Sequence, residues 1–261
     1  MKIRLISASV ALTILIPLLC VGGLPFTLGM LVLSILGYKE ILDLKESHQK
    51  IPDYIKVAGL LSLIYLVTGN LKNSNIEIIS YSKILLPMLL LLLPSVFYKN
   101  DEYSTKDALY LCGSIYLIGT LFNLIILLRE MNIYILVYLL GVTILTDTFA
   151  YLIGCMIGKH KMIPSISPKK SWEGAIAGLI GGSVSALILY SNLVGELNIK
   201  IIIMTFILSI VGQLGDLVYS KIKRENNIKD FSNLMPGHGG ILDRVDSLSF
   251  VVFAYVLIYF I

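Results

Sequence analysis

Apolar residues in this sequence gather in runs of about twenty, the length an α-helix needs to cross the hydrocarbon core of a bilayer. Few other folds tolerate such runs. Hydrophobic residues make up 56% of the chain and charged residues 15%, with a mean hydropathy of +0.84. A soluble domain carries nearer a quarter charged residues. Disorder is excluded, because a chain this apolar must bury itself, and an ordinary water-soluble enzyme is nearly excluded. At about twenty residues per span plus short loops, 261 residues allow roughly eight to eleven spans and no soluble domain of useful size. A net charge of +4 is too small and too dispersed for nucleic-acid binding. The expected fold class is therefore an all-α polytopic integral membrane protein.

The runs lie near residues 3–21, 24–43, 54–71, 82–98, 107–128, 132–153, 174–192, 199–221 and 247–261, which gives about nine transmembrane helices. Gly22, Gly23 and Pro25 mark a tight first turn, and 45–53, 72–81 and 99–106 are polar breaks. Lys2 and Arg4 ahead of the first run imitate a signal peptide, but the run is long and no small-x-small cleavage site follows, so it is expected to stay as a span. Cys20, Cys112 and Cys155 all sit in apolar runs and form no C-x-x-C pair, which argues against a disulfide framework or a zinc site. Residues 1–131 form an N-terminal region of five spans. Residues 132–261 form a C-terminal catalytic region of four spans and two basic loops.

Charge sets the orientation. With the N-terminus inside, seventeen of the twenty-one Lys and Arg fall in inside loops, leaving Lys72, Lys83, Arg129 and Lys200 outside. Short loops rich in Lys and Arg stay cytoplasmic. The two longest inside loops, 154–173 and 221–246, then share the cytoplasmic face, and the active site is expected there.

Two carboxylates stand within spans: Asp147 in Thr-Asp-Thr-Phe-Ala-Tyr and Asp216 in Gly-Gln-Leu-Gly-Asp. A carboxylate there costs several kcal/mol unless paired, protonated or facing water, so each marks either a functional site or a polar contact between helices. Gly212 and Gly215 thin the helix around Asp216 and permit close backbone approach, and Gln213 adds a second polar group. Asp243 and Asp246 are three apart, on one face if the last helix starts there, and can serve as metal ligands or as N-terminal caps. Beside them, Gly239 and Gly240 leave backbone N–H groups open to phosphate, and Arg244 can fork onto phosphate oxygens. Carboxylates without cysteine suit a hard ion that keeps waters and meets phosphates, so Asp216, Asp243 and Asp246 read as a magnesium site. In Ser-Pro-Lys-Lys-Ser-Trp-Glu-Gly, Lys169 and Lys170 offer two phosphate-seeking charges, and Ser171 can cap the helix that follows. The plainer reading of that loop is a positive-inside anchor with Trp172 at the interface.

These residues carry a resemblance. Ser220-Lys221-Ile222-Lys223-Arg224, Lys229-Asp230, Pro236-Gly237-His238-Gly239-Gly240 and Asp243-Arg244-Val245-Asp246 resemble the signature of the phosphatidate cytidylyltransferases, the CDP-diacylglycerol synthases. Every fixed position over residues 220–246 matches, with Met235 at an apolar position where Leu, Ile or Phe is commoner. The segments at 146–151 and 167–174 also resemble that family, with Ser171 where Thr is commoner; the N-terminal half matches only as apolar helices. The resemblance implies transfer of the cytidylyl group of CTP to phosphatidate at the cytoplasmic face of the cell (inner) membrane. It implies magnesium, with a second cation left open, and a homodimer. Asp216, Asp243, Asp246, His238 and Arg244 would then be catalytic. Lys169, Lys170, Ser171, Glu173, Ser220, Lys223, Arg224, Lys229, Asp230, Gly239 and Gly240 would bind substrate, with Asp147 in a lesser role. The rival readings are another CTP-using lipid transferase (a polyprenol kinase or a CDP-archaeol synthase) and a secondary transporter, whose intramembrane carboxylates would bind coupling ions.

Overall fold

The structure, a computed structural model, describes residues 2–47, 49–69, 81–99, 102–237 and 239–260. Its helices follow the apolar runs: α1 (Lys2–Val21), α2 (Gly23–Glu46), α3 (Asp53–Thr68), α4 (Tyr81–Leu92), α5 (Thr105–Met131), α6 (Ile133–Ile157), α7 (Trp172–Ala177), α8 (Ser183–Leu193), α9 (Ile199–Glu225) and α10 (Leu242–Phe260). A π-helical stretch, Gly178–Gly182, joins α7 to α8. Among the described residues, five stretches are long and apolar enough to cross a membrane: Gly23–Glu46, Thr105–Met131, Ile133–Ile157, Trp172–Leu193 and Ile199–Glu225. The expected polar break at 72–81 lies almost entirely outside the described residues.

Boundaries differ where charged residues join helix ends. The last helix begins at Leu242 rather than near 247, so Asp243 and Asp246 stand in its first turn and a half. Hydropathy alone hides this, since acidic residues are favourable at a helix N-terminus. α2 likewise continues past 43 to Glu46, and α9 continues past 221 to Glu225. The loop after α6 holds a small antiparallel hairpin, β1 (Lys161–Ile163) against β2 (Ser167–Ser171), within a chain expected to be all-α. Pro164 sits in its turn, where Ile166 N–H donates to the Ile163 carbonyl at 3.1 Å.

The chain divides into two compact units. The first comprises Met1–Met131 with Phe231–Leu242, and the second Asn132–Asp230 with Asp243–Ile261. In the first unit, α5 supplies much of the core through Leu111, Ile115, Ile118, Leu121 and Phe122, all buried, together with Leu63 of α3 and Tyr38 of α2. The α1–α2 turn needs glycine at its hinge: Gly22 has φ +68° and Gly23 φ +55°. Arg129 of α5 donates to the carbonyls of Leu19 (3.0 Å) and Cys20 (2.9 Å), satisfying the end of α1.

In the second unit, small residues set the spacing between helices. A Cβ at Gly178 would sit 2.8 Å from the Thr146 carbonyl, and one at Gly182 would sit 2.5 Å from the Thr146 Cα. The π stretch thus lies directly on α6. Gly212 and Gly215 do the same for α9 against α10, where a Cβ would meet Val251 and Phe250, each at 2.8 Å. Asn132, Ser171 and Asn198 cap α6, α7 and α9 with side-chain oxygens, at 2.9, 3.3 and 2.9 Å from the N–H groups they accept.

Candidate active site

The close packing of α6, α9 and α10 in the second unit brings carboxylates and lysines together. Lys170, on β2, places its ammonium 2.6 Å from Asp216 Oδ2 and donates to the Gln213 carbonyl at 3.3 Å. Lys223, in the last turn of α9, lies 2.6 Å from Asp243 Oδ1; its side chain is 9% exposed and that of Asp243 only 3%. Two charges taken out of water this far must be paired, and here they are. Ser220 donates to Asp216 Oδ1 at 3.3 Å, as the four-residue spacing on a helix allows.

Asp246 stands three residues beyond Asp243 and accepts from its neighbour's backbone, Ser247 N–H to Oδ1, at 2.8 Å. It lies within electrostatic reach of Asp216, Asp147 and Lys223. Asp147 is hydrogen-bonded to the Ser247 side chain and feels both Asp216 and Lys170. With Thr146, Ser209, Gly212, Gln213 and Ser247 it lines a narrow cleft between α6, α9 and α10. Ser247 and Ser209, which the sequence did not single out, are thus neighbours of the cluster. Nothing in their local pattern separates them from other serines in apolar helices.

The remaining expected residues have other surroundings. Lys169, Lys229 and Asp230 are exposed. Ser171 is the buried N-cap of α7. Glu173 closes the base of the hairpin, accepting from Lys159 N–H and His160 N–H at 3.2 Å and lying 2.6 Å from His160 Nδ1. Arg224 donates through Nε to the Ile166 carbonyl (3.2 Å) and through Nη1 to the Ile228 carbonyl (2.8 Å), so it ties the hairpin turn to the end of α9. Arg244 is exposed in the first turn of α10. His238 lies outside the described residues.

Gly239 and Gly240 belong to the first unit. Gly239 has φ +81° and bridges to Met235, whose N–H donates to the Gly239 carbonyl at 3.0 Å. Gly240 lies against the carboxylate of Glu40 on α2, so close that any Cβ would overlap it. Glu40, buried in α2, accepts from the Ser232 hydroxyl and from the N–H groups of Ile241 and Leu242. The structure thereby supplies an internal anion where the sequence suggested an opening toward phosphate.

A divalent cation suits this donor set in kind, because the cluster offers hard carboxylate oxygens and no sulfur. Among the described residues, no three His, Cys, Asp or Glu side chains already form a set that could hold one. Lys170 and Lys223 supply the positive charge that Asp216 and Asp243 face.

Two carboxylate–lysine pairs, Lys170 with Asp216 and Lys223 with Asp243, stand in a helical protein with helices of membrane length. Comparison with known proteins narrows the class. The Cytidylyltransferase family matches residues 2–261. The chain is 36% identical over 255 residues to the phosphatidate cytidylyltransferase of Staphylococcus haemolyticus, covering 97% of this chain and 96% of that protein. It is 35% identical over 256 residues to the enzyme of the same name from Staphylococcus aureus (strain COL), again covering 97% and 96%. The chain belongs to the cytidylyltransferase family, and the likeness spans the N-terminal helices as well as the signature.

Proposed function

We propose that this protein transfers the cytidylyl group of CTP to phosphatidate, giving CDP-diacylglycerol and pyrophosphate. The paired carboxylates and lysines of the second unit carry the reading, together with membership of the family. A phosphate oxygen of phosphatidate attacks the α-phosphorus of CTP. The bond from that phosphorus to the bridging oxygen breaks, and pyrophosphate leaves with the electron pair. A phosphate monoester has its second pKa at about 6, so the nucleophile is already anionic at neutral pH and no general base is required. What the reaction needs is positive charge to let two polyanions meet and to stabilise the leaving group.

Lys170 and Lys223 supply that charge by turning from their carboxylates to phosphate, with Lys169 and Arg244 exposed nearby in sequence to add to it. Asp216, Asp243 and Asp246 would hold magnesium, which when bound supplies Lewis-acid neutralisation of the CTP phosphates. Asp147 tunes this cluster from α6. Exchanging both Lys169 and Lys170 for alanine is expected to raise KM for CTP about tenfold or more, the worth of one charge-assisted hydrogen bond. An unchanged KM would leave these lysines as topology anchors.

Nine spans with the active site facing the cytoplasm of the cell (inner) membrane complete the proposal, supported by the seventeen-to-four charge asymmetry. The homodimer is carried from the family likeness alone. Reporter fusions after Gly158 and Asn227 are expected to read cytoplasmic, and one after Asn198 external. An external reading at Asn227 would overturn the shared face. The reaction itself is tested by following the phosphorus of CTP into lipid or pyrophosphate.

A further inference from the structure

The N-terminal unit carries a carboxylate that the chemistry above leaves unused. Glu40 is 3% exposed, yet it sits on a helix of membrane length. Its Oε1 accepts from the Ser232 hydroxyl and the Ile241 N–H, both at 2.7 Å, and its Oε2 accepts from the Leu242 N–H at 2.9 Å. A buried carboxylate is costly unless its oxygens are satisfied. Three donors do this, two of them backbone N–H groups at the N-terminus of α10, where a negative charge is favoured.

The arrangement is specific in sequence as well as in space. One carboxylate grips Ser232 at one end of a loop and Ile241 at the other, closing a segment that contains Pro236-Gly237-His238-Gly239-Gly240. Gly240 must lack a side chain because the carboxylate occupies the place a Cβ would take. Other contacts press the same segment onto the first unit. Ser7 donates to the Pro236 carbonyl at 3.1 Å, and the Leu242 side chain packs where a Cβ on Gly37 would meet it at 3.3 Å. Such anchoring exceeds what a surface connection between two helices needs.

We propose that Glu40 is a positioning residue for the reaction: it holds Ser232, Gly240, Ile241 and Leu242, fixing the chain that leads directly into Asp243. The N-terminal helices thereby take part in catalysis instead of serving only as membrane anchors. The inference rests on the cytidylyl-transfer reading, but the clamp itself has a readout that does not.

Glu40→Gln keeps the shape and turns one acceptor into a donor facing donors. Its kcat is expected to fall about tenfold or more, because displacing a reacting group by about 1 Å costs on the order of a hundredfold. KM for phosphatidate should stay near native, and the melting midpoint in detergent should shift little. Hydrogen exchange at 232–242 should speed up while α5 keeps its protection. Native specific activity of the folded Glu40→Gln variant would overturn the proposal, as would a fall in kcat without faster exchange in that segment. If the variant does not fold, Ser232→Ala removes one of the three bonds. A smaller fall in kcat with faster exchange is then expected, and native values of either would overturn the clamp. Unaltered protein with no turnover but normal protection at 232–242 would remove the enzymatic reading and leave the clamp standing.

Discussion

Asp216→Asn, Asp243→Asn and Asp246→Asn are each expected to lower turnover at least about a hundredfold, roughly 3 kcal/mol of barrier. Each change keeps the side chain's shape and removes an anion. Under the proposed function two polyanionic substrates come together near these residues, in a setting less polar than water, where unscreened like charges repel far more strongly. On the proposed function, the carboxylates organise the positive charge that permits it, whether that charge is a lysine or a bound cation. At position 243 the change has a second effect. It removes the carboxylate facing Lys223, and disrupting a buried pair from one side costs about 3–5 kcal/mol of stability when nothing replaces it. Turnover should therefore be referred to the folded fraction recovered from size exclusion. Asp147→Asn should cost less, since Asp147 reaches the cluster through Ser247 and through space. Near-native turnover in both Asp243→Asn and Asp246→Asn would make these residues N-terminal caps of α10 and nothing more.

Removing divalent cations should abolish turnover, and restoring magnesium should return it. The geometry makes the test informative, because Lys170 and Lys223 already neutralise Asp216 and Asp243. If lysine charge alone carried the phosphates, chelation would leave much of the rate. If a hard cation is required, chelated protein should fall below detection while keeping its melting midpoint. Raising magnesium should then partly rescue the mildest of the three Asp→Asn variants, since weakened binding is offset by mass action. Full turnover in excess chelator would remove the cation from the mechanism.

Much of the architecture was legible because a bilayer imposes a length on each apolar run, and the helices follow those runs. What escaped lay at the ends. Asp243, Arg244 and Asp246 lower the hydropathy of 242–246 and made it read as loop, although a helix N-terminus accommodates acidic residues. The hairpin at 161–171 is too short to carry a periodicity that polar loop residues would not also show. Glu40 drew no attention in the sequence, lying just before the end of the 24–43 run. Its three donors come from about two hundred residues away, a relation no local pattern encodes. In the candidate site, the helix was legible at Asp216 alone: Lys170 falls on β2, Lys223 falls on the part of α9 beyond the apolar run, and neither pairing could be read locally. The family resemblance pointed Arg224 and Glu173 at substrate, and the fold engages both in holding the hairpin. The glycine pair shows the same limit from another side. A glycine marks close approach, but its neighbour, here an internal carboxylate, is decided by packing.

The most direct test is the fate of each phosphorus of CTP. Purified protein in detergent, with phosphatidate and magnesium, should be given CTP labelled at the α-phosphorus in one reaction and at the γ-phosphorus in another. Cytidylyl transfer puts the α-label into lipid and the γ-label into pyrophosphate, with no γ-label in the organic phase. A γ-labelled lipid with CDP in the water phase would show a kinase. Neither label moving, with phosphatidate or with any other lipid phosphate, would contradict the transfer outright and return the intramembrane carboxylates to a transport role.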